Sequence, residues 1–555
     1  MADKDHTMAQ TLKYDYIIIG GGIAGSVVAS RLHETHPSWS ILVIEAGPDV
    51  SENPLVTDSA NGPFLVGSEL DWGYSTVPQR NLNNRIIANN AGKALGGASA
   101  INAGGWIRGD ANDYNAWGKL VNDPRWSYEG LLPYFRQTEH YHKSGLNTQH
   151  GYEGPLYTQS VSSTGRDYPL RENIRKAWES IGVNYNDDAN SGSPQGLGEL
   201  VENRKDGHRQ LASSAFPLNG VKVMTSTLVA RVLIDSHGTT PRATGVELAD
   251  GSKITAAKEV IVSAGAYRTP QILLLSGIGP SNELAAHSIQ QVVNAPYVGK
   301  NLHDHMSVAQ WWKLKSPEAG YALGSPLFNN PNFAKGTPMD WVVTLTVPHD
   351  GLKDALIKDE GSVDDVHPLL NPPRSHVECF TVYVGANQSD PVIPMDGSHV
   401  TTVVFGGLPT SRGSVTLAST DPTAAPVIDP NYFSTEVDRY VLRTGMRKIM
   451  EAMLSTTEGQ ALIEIETVSA GEKPLDWKAE DAELDERIRA RGKTVYHPAG
   501  TASMGKVVDS NFCVYGVEGL RVVDASVIPL PIAAHYQACT YALALQAAEI
   551  IGGSL

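Results

Sequence analysis

"YDYIIIGGGIAGSVVASRLHE", residues 14–34, passes from an apolar run through clustered glycines into a mixed apolar and polar stretch. It reads as a strand, a glycine turn and a helix. "WSILVIEAG", residues 39–47, follows as a second strand carrying Glu45 near its end, so the two stretches together make a βαβ unit. Gly20, Gly22 and Gly25 form G-x-G-x-x-G where the strand meets the helix. In that pattern the first glycine allows a tight turn, the second admits a pyrophosphate, and the third lets helix pack on strand. The helix start supplies free N–H groups and the positive end of its dipole. Glu45 lies about 20 residues beyond the last glycine, where a carboxylate grips ribose hydroxyls and repels a 2′-phosphate. A dinucleotide other than NADP is therefore expected, and the motif by itself does not separate FAD from NAD.

A second glycine-rich stretch, "GKALGGASAIN", residues 92–102, suits neither a helix interior nor a packed strand. If a flavin extends from the first site, Gly96 and Gly97 let the backbone approach its pyrophosphate and ring edge, and Asn102 offers an amide near the ring. Glycine content alone also fits an ordinary surface loop.

Further along, residues 50–90 read as loop, and residues 128–138 and 170–182 as helices. The stretches 221–235 and 245–267 carry strand periodicity, the second with an "ADGS" hairpin turn. "HVECFTVYVG", residues 376–385, is a strand within a region of long loops. Residues 439–456 form an amphipathic helix, 520–526 a strand and 535–553 a final helix. This alternation predicts an α/β fold with a second, sheet-and-helix domain, in keeping with a chain of 555 residues.

The net charge of −16 disfavours nucleic acid and anionic membranes as partners. No apolar run approaches the roughly 20 residues of a membrane span. The N-terminal "MADKDHTMAQTLK" lacks the apolar core of a secretory signal, the C-terminal "GGSL" is not a peroxisomal address, and a cytoplasmic location is expected. Cys379, Cys513 and Cys539 are too few and too scattered for a disulfide framework or a zinc site and are expected to be reduced. No histidine spacing suggests a metal.

Four more stretches, "SAGAYRTPQILLLSGIGP" (263–280), "VGKNLHDHM" (298–306), "VYHPAGTASMG" (495–505) and "LRVVDASVIPLPIAAHYQACTYALALQAAEII" (520–551), complete a pattern with the fingerprint. Together they resemble the glucose–methanol–choline (GMC) flavoprotein oxidoreductases over nearly the whole chain and in family order. The resemblance implies a discontinuous Rossmann-like FAD-binding domain (13–60, 88–110, 218–305, 490–555) and a substrate-binding domain with lid segments (61–87, 111–217, 306–489). It implies that Gly20, Gly22, Gly25 and Glu45 hold the ADP moiety, and that Gly96, Gly97, Ser99 and Asn102 contact the flavin. Val229 would meet the adenine through its backbone, Asp524 and Ala525 would lie near the pyrophosphate and ribityl chain, and Tyr536 and Gln537 would present N–H groups to the flavin. His497, in H-P-x-G-T, matches the family's catalytic histidine, and His535 its partner. That His–His version looks closest to the glucose-oxidase and aryl-alcohol-oxidase branches.

The implied activity is oxidation of an alcohol CH–OH to an aldehyde or ketone by hydride transfer to FAD. Electrons would then pass to O₂ or a quinone-type acceptor, in a setting such as small-molecule biosynthesis. A non-redox lyase using FAD structurally is the alternative. His497 as general base fits an imidazole titrating near roughly 6.5, with His535 bonding the substrate oxygen; the two roles could be exchanged. Several positions depart from the family. Ala98 replaces a hydroxyl residue, His303 replaces Gln in "NLHDH", and Val495 stands where sugar oxidases carry a polar group. No His or Cys lies in 97–102, so FAD is expected to bind noncovalently. His303 and His305 read as packing residues of their loop. Trp311, Trp312, Trp341, Phe380 and Tyr383 could line a pocket for an aromatic or bulky alcohol, or simply pack the core.

Overall fold

The computed structural model describes residues 12–58, 65–145 and 147–553. The first eleven residues, with His6 and most of the polar N-terminal stretch, and the last two residues of "GGSL" lie outside them.

The fingerprint strand Lys13–Ile19 forms the middle of a seven-stranded sheet. Its isoleucines are buried on both faces, as a parallel strand covered from both sides requires. Ile41–Ile44 pairs with it in parallel on one side, in register Ile17↔Leu42, and Lys253–Val262 on the other, in register Ile17↔Val260. Lys222–Met224 extends the first side, and Leu520–Val522 pairs in parallel with Lys253–Val262. Arg242–Leu248 and Val229–Asp235 continue the second side as antiparallel strands. The chain thus leaves the fingerprint strand at the point where strand order reverses. In open α/β sheets that is where ligands bind, beyond the carboxyl ends of the strands.

The helices Ile23–Thr35 and Gln537–Gly552 pack against each other in the core of this sheet. The last helix is buried on nearly all sides, which explains "ACTYALALQAA", apolar with no helical stripe. It begins at Gln537 rather than at 535, so His535 and Tyr536 stand just before its first turn.

The expected strand at 221–235 is two strands. The chain breaks after Met224, and its halves join opposite ends of the sheet. Apolar periodicity continues across the break because both halves face the same core, so pattern alone does not reveal it.

A second sheet carries the order Ile463–Thr467, Met306–Leu314, His399–Gly406, Val377–Val382, Trp341–Leu345, Gly196–Glu199, Tyr185–Asn186, with Lys493–Thr494 pairing Met306–Leu314. The amphipathic helix Glu436–Leu454 covers it, capped by the Thr435 side chain accepting from Asp438 N. Helices also form at Tyr128–Thr138 and Arg171–Ser180, near the expected spans. The two sheets meet where Met306–Leu314 leaves the 298–305 loop and where the 495–505 loop returns towards the first sheet.

Candidate active site

The dinucleotide cradle is built from backbone brought too close for side chains. Gly20 has φ +99°, and a Cβ there would sit 2.5 Å from Ser263 O; a Cβ on Gly25 would lie 2.0 Å from Gly20 O, so the helix is seated directly on the turn. The "GKALGG" loop docks on the fingerprint itself. Gly96 N donates to Gly21 O at 2.7 Å, and a Cβ on Gly97 would stand 2.7 Å from Gly22 Cα. The bareness of residues 96–97 therefore has a cause that the sequence did not reveal: two backbones touch there, whatever else approaches them.

Glu45 is buried and accepts from Gly21 N and Gly47 N, both at 2.8 Å. Burial pushes its carboxyl up to about 7 against those hydrogen bonds. Thr227 N donates to Glu45 O at 2.9 Å, which brings the buried Val229 alongside the same end of the cradle.

Asp524, also buried, accepts from Gly265 N (2.9 Å), Thr269 Oγ1 (2.6 Å) and Ser526 N (2.7 Å), and burial raises its pKa. Ala525 O accepts from Gly500 N at 3.3 Å, tying this segment to the His497 loop. Ser99 Oγ is committed within the protein, donating to Gly96 O (2.6 Å) and accepting from Ala212 N (2.9 Å). Asn102 Nδ2 donates to Gln537 Oε1 at 3.1 Å, joining the glycine loop to the start of the last helix beside Tyr536.

Around this cradle the shielded hydroxyls of Ser213 and Ser263 have no hydrogen-bond partner. Ser213 lies beside Gly96 and Ser263 beside Gly20. Buried hydroxyls are seldom left unpaired. Two of them beside a glycine-lined turn and the buried Glu45 carboxylate fit a phosphate-bearing dinucleotide such as FAD.

The histidines converge at the seam. The rings of His497 and His535 lie 5.1 Å apart between centroids. His497 stacks on Tyr536 at 5.5 Å, and Phe405 stands 6.2 Å from His497 and 6.0 Å from His535. The backbone of His497 is fixed by Asp304, whose Oδ1 accepts from His497 N at 2.8 Å. The other oxygen of Asp304 accepts from Thr494 Oγ1 (2.6 Å) and from the Tyr432 hydroxyl. Between Thr494 and His497 the chain passes through Tyr496 at φ +64°, a conformation a tyrosine rarely adopts and that needs outside support. Asp304 grips both flanks of that turn.

Burial holds the His497 pKa well below the usual histidine value, with smaller contributions from His535 and His305. The imidazole is therefore neutral at ordinary pH. His535 Nε2 lies 2.9 Å from Glu378 Oε1, a buried carboxylate on Val377–Val382. A Cβ on Gly105 would fall 2.5 Å from His535 Nδ1, so only glycine fits beside that ring.

With this geometry in view, the comparisons with known proteins are decisive. Residues 14–307 and 409–544 match the two family models described as GMC oxidoreductase. The chain belongs to the GMC oxidoreductases. It is similar to the GMC-type oxidoreductase acuG of Aspergillus aculeatus, with 44% identity over 97% of this chain and 99% of the relative. A formate oxidase crystal structure superposes with a TM-score of 0.87 at 29% identity, covering 98% of this chain and 99% of its own. A fungal aryl-alcohol oxidase matches with a TM-score of 0.80 at 26% identity, covering 98% and 99%. This GMC oxidoreductase is thus an FAD flavoprotein with the family's two-domain α/β fold. Among its described residues, no helix is long and apolar enough to cross a membrane.

Three site residues escaped the sequence reading. His305 does not merely pack its loop: its Nδ1 lies 3.0 Å from His497 Nδ1. Asp304 sits in the same "NLHDH" motif, which signals a site only once its loop is known to meet 495–505. Glu378 carried a usable signal, since an acid inside the apolar strand "HVECFTV" is buried only with a partner. Of the two readings open for the aromatic residues of 306–400, core packing is the one observed. Trp312, Trp341 and Tyr383 are fully buried core residues, with Phe380 packed against the same core, and Trp311 pairs with Arg491. The aromatic rings beside the histidine pair are Phe405 and Tyr536.

Proposed function

We propose that this GMC oxidoreductase oxidises a CH–OH group to an aldehyde or ketone, with His497 as general base. Bound FAD, held noncovalently, supplies the hydride acceptor. The observation that carries the reading is a buried, neutral imidazole at His497, fixed through its backbone by Asp304 and facing a second imidazole at His535. A base must hold a free lone pair at working pH, and burial secures this for His497. His497 takes the hydroxyl proton as the C–H hydrogen leaves as hydride. Glu378 Oε1, 2.9 Å from His535 Nε2, holds the His535 ring beside His497, where it would assist at the substrate oxygen.

Gly20, Gly22, Gly25 and Glu45 would hold the ADP portion, with Val229 at the adenine and Asp524–Ala525 along the pyrophosphate. Gly96, Gly97, Ser99 and Asn102, with Tyr536 and Gln537, would border the flavin. Phe405 and Tyr536 give the substrate side flat apolar faces, which suit an aromatic or bulky alcohol. Such a substrate accords with the likeness to an aryl-alcohol oxidase. Electrons would leave to O₂ or a quinone-type acceptor.

The test is anaerobic addition of a panel of alcohols to the holoenzyme, followed by flavin absorbance. Bleaching by at least one primary or secondary alcohol is expected. A flavin that stays oxidised with every alcohol while the protein still turns over a substrate would refute the redox reading.

A further inference from the structure

We propose that His305 is a positioning residue that fixes the tautomer of His497: it accepts a hydrogen bond from His497 Nδ1–H and leaves His497 Nε2 free to take the alcohol proton. The proposal rests on the reading of His497 as the base.

The Nδ1 atoms of His305 and His497 lie 3.0 Å apart, within hydrogen-bond distance. Burial pushes His305 down to about 3 and His497 well below its usual value, so both rings are neutral. Two neutral imidazoles meeting through Nδ1 share a single proton, and either ring can own it. If His305 owned it, His497 would carry its proton on Nε2 and would be a donor there rather than a base. If His497 owns it, Nε2 of His497 keeps its lone pair.

The position of His305 and the role of His497 as base together select the second case. The His305 ring is wholly buried and clamped between groups that prevent rotation, stacked on Phe405 at 5.3 Å and edge-on to Tyr536 at 4.9 Å. His305 Nδ1 faces His497 Nδ1, and its Nε2 is shielded from solvent. Because His305 occupies His497 Nδ1, Nε2 is the nitrogen of His497 left to take a proton, and a neutral ring with a lone pair on Nε2 carries its hydrogen on Nδ1. His305 Nδ1 is then the acceptor. His497 Nδ1 must then be the donor.

The chemical step balances on this arrangement. The alcohol O–H bond breaks, the proton forms a bond to His497 Nε2, and the freed electron pair on oxygen becomes the second C–O bond of the carbonyl. The C–H hydrogen leaves with its electron pair for the bound FAD. The imidazolium formed on His497 still donates from Nδ1 to His305, so the developing charge meets a ready acceptor. A carboxylate plays this part in the Ser-His-Asp triad; here the acceptor is a neutral ring.

The test uses the FAD-loaded enzyme with benzyl alcohol as anaerobic reductant and follows the rate of flavin reduction. His305→Leu, which keeps an apolar filler and removes the acceptor, should slow reduction about 10-fold or more with KM and FAD content unchanged. His305→Asn, whose Oδ1 can stand near the Nδ1 position, should remain within about threefold of wild type, a rescue that packing alone does not predict. In a His497→Ala background, His305→Leu should slow reduction no further, because residues acting through one group are non-additive.

Wild-type reduction in His305→Leu, or the same slowing in both backgrounds, overturns the tautomer assignment and leaves His497 as base intact. Wild-type reduction in His497→Ala overturns the base and this inference together. A readout independent of any variant's folding is ¹⁵N-histidine NMR of the wild-type holoenzyme, with His497 assigned by its loss in His497→Ala. An unprotonated Nε2 and protonated Nδ1 are expected, and a protonated Nε2 overturns the proposal.

Discussion

Asp304 ties the histidine loop to the substrate sheet, and replacing it offers a graded test of that geometry. The buried carboxylate accepts from His497 N at 2.8 Å, from Thr494 Oγ1 at 2.6 Å and from the Tyr432 hydroxyl. Asp304→Ala strands all three donors. A buried donor left unsatisfied costs about 1–3 kcal/mol. The two hydroxyls can turn to other acceptors, but the His497 amide cannot, so the loss is set at no less than about 1–3 kcal/mol by that group alone. It falls on the turn that holds Tyr496 at φ +64°, which relaxes once its flanks are released. A displacement of His497 by about 1 Å would cost on the order of 10²-fold in rate. Asp304→Asn keeps an acceptor for His497 N and offers its amide to the hydroxyls, and should lose less than a tenth of that effect. Anaerobic stopped-flow flavin reduction and thermal melting of the three holoproteins measure both quantities. FAD content should stay constant, because the cradle is built elsewhere. Wild-type reduction in Asp304→Ala, or equal damage by Asn and Ala, would refute the anchoring role.

Other consequences can be checked with the same protein. Glu45→Ala should lower FAD occupancy and the melting temperature together, because bound cofactor stabilises the native state by mass action; unchanged flavin content would show that a different acid holds the ribose. Burial sets the Glu45 carboxyl at about 7 before any ribose hydroxyls donate to it. Those donors favour the ionised form, so FAD binding to the apoprotein should strengthen as pH rises through 7, and Glu45→Gln should flatten that dependence in a titration by flavin fluorescence. Acid precipitation should release the yellow colour to the supernatant, and a pellet that stays yellow would mean a covalent bond. His497 is neutral above its pKa, and that pKa is depressed, so flavin reduction should hold its rate as pH falls through 6.5 and decline only at lower pH; a midpoint at or above 6.5 would contradict a buried base.

The α/β class and the fingerprint were legible because one local pattern, apolar strand then G-x-G-x-x-G then helix, contains its own physical reason. His497 and His535 stood out as members of dense motifs, and their rings lie 5.1 Å apart. What the sequence hid were relations between segments far apart in the chain. Glu378 lies 157 positions from His535 and meets it only because Val377–Val382 is a central strand of the second sheet. His305 and Asp304 stand 192 and 193 positions from the group they serve. The split at Met224 was invisible because both halves are apolar in the same rhythm. The aromatic residues of 306–400 were left open between pocket and core because tryptophans fill cores as readily as they line pockets, and only packing distinguishes the two.

The central claim is that His497 takes the proton and His535 assists at the same oxygen. Its most direct test is the rate of anaerobic flavin reduction by the best alcohol in wild type, His497→Ala, His535→Ala and the double variant, each with FAD bound. The account predicts a loss on the order of 10² to 10⁴ in His497→Ala, as for a removed general base. It predicts a smaller loss in His535→Ala, and a double variant less impaired than the product of the two single losses. Reduction at the wild-type rate in His497→Ala would contradict the account.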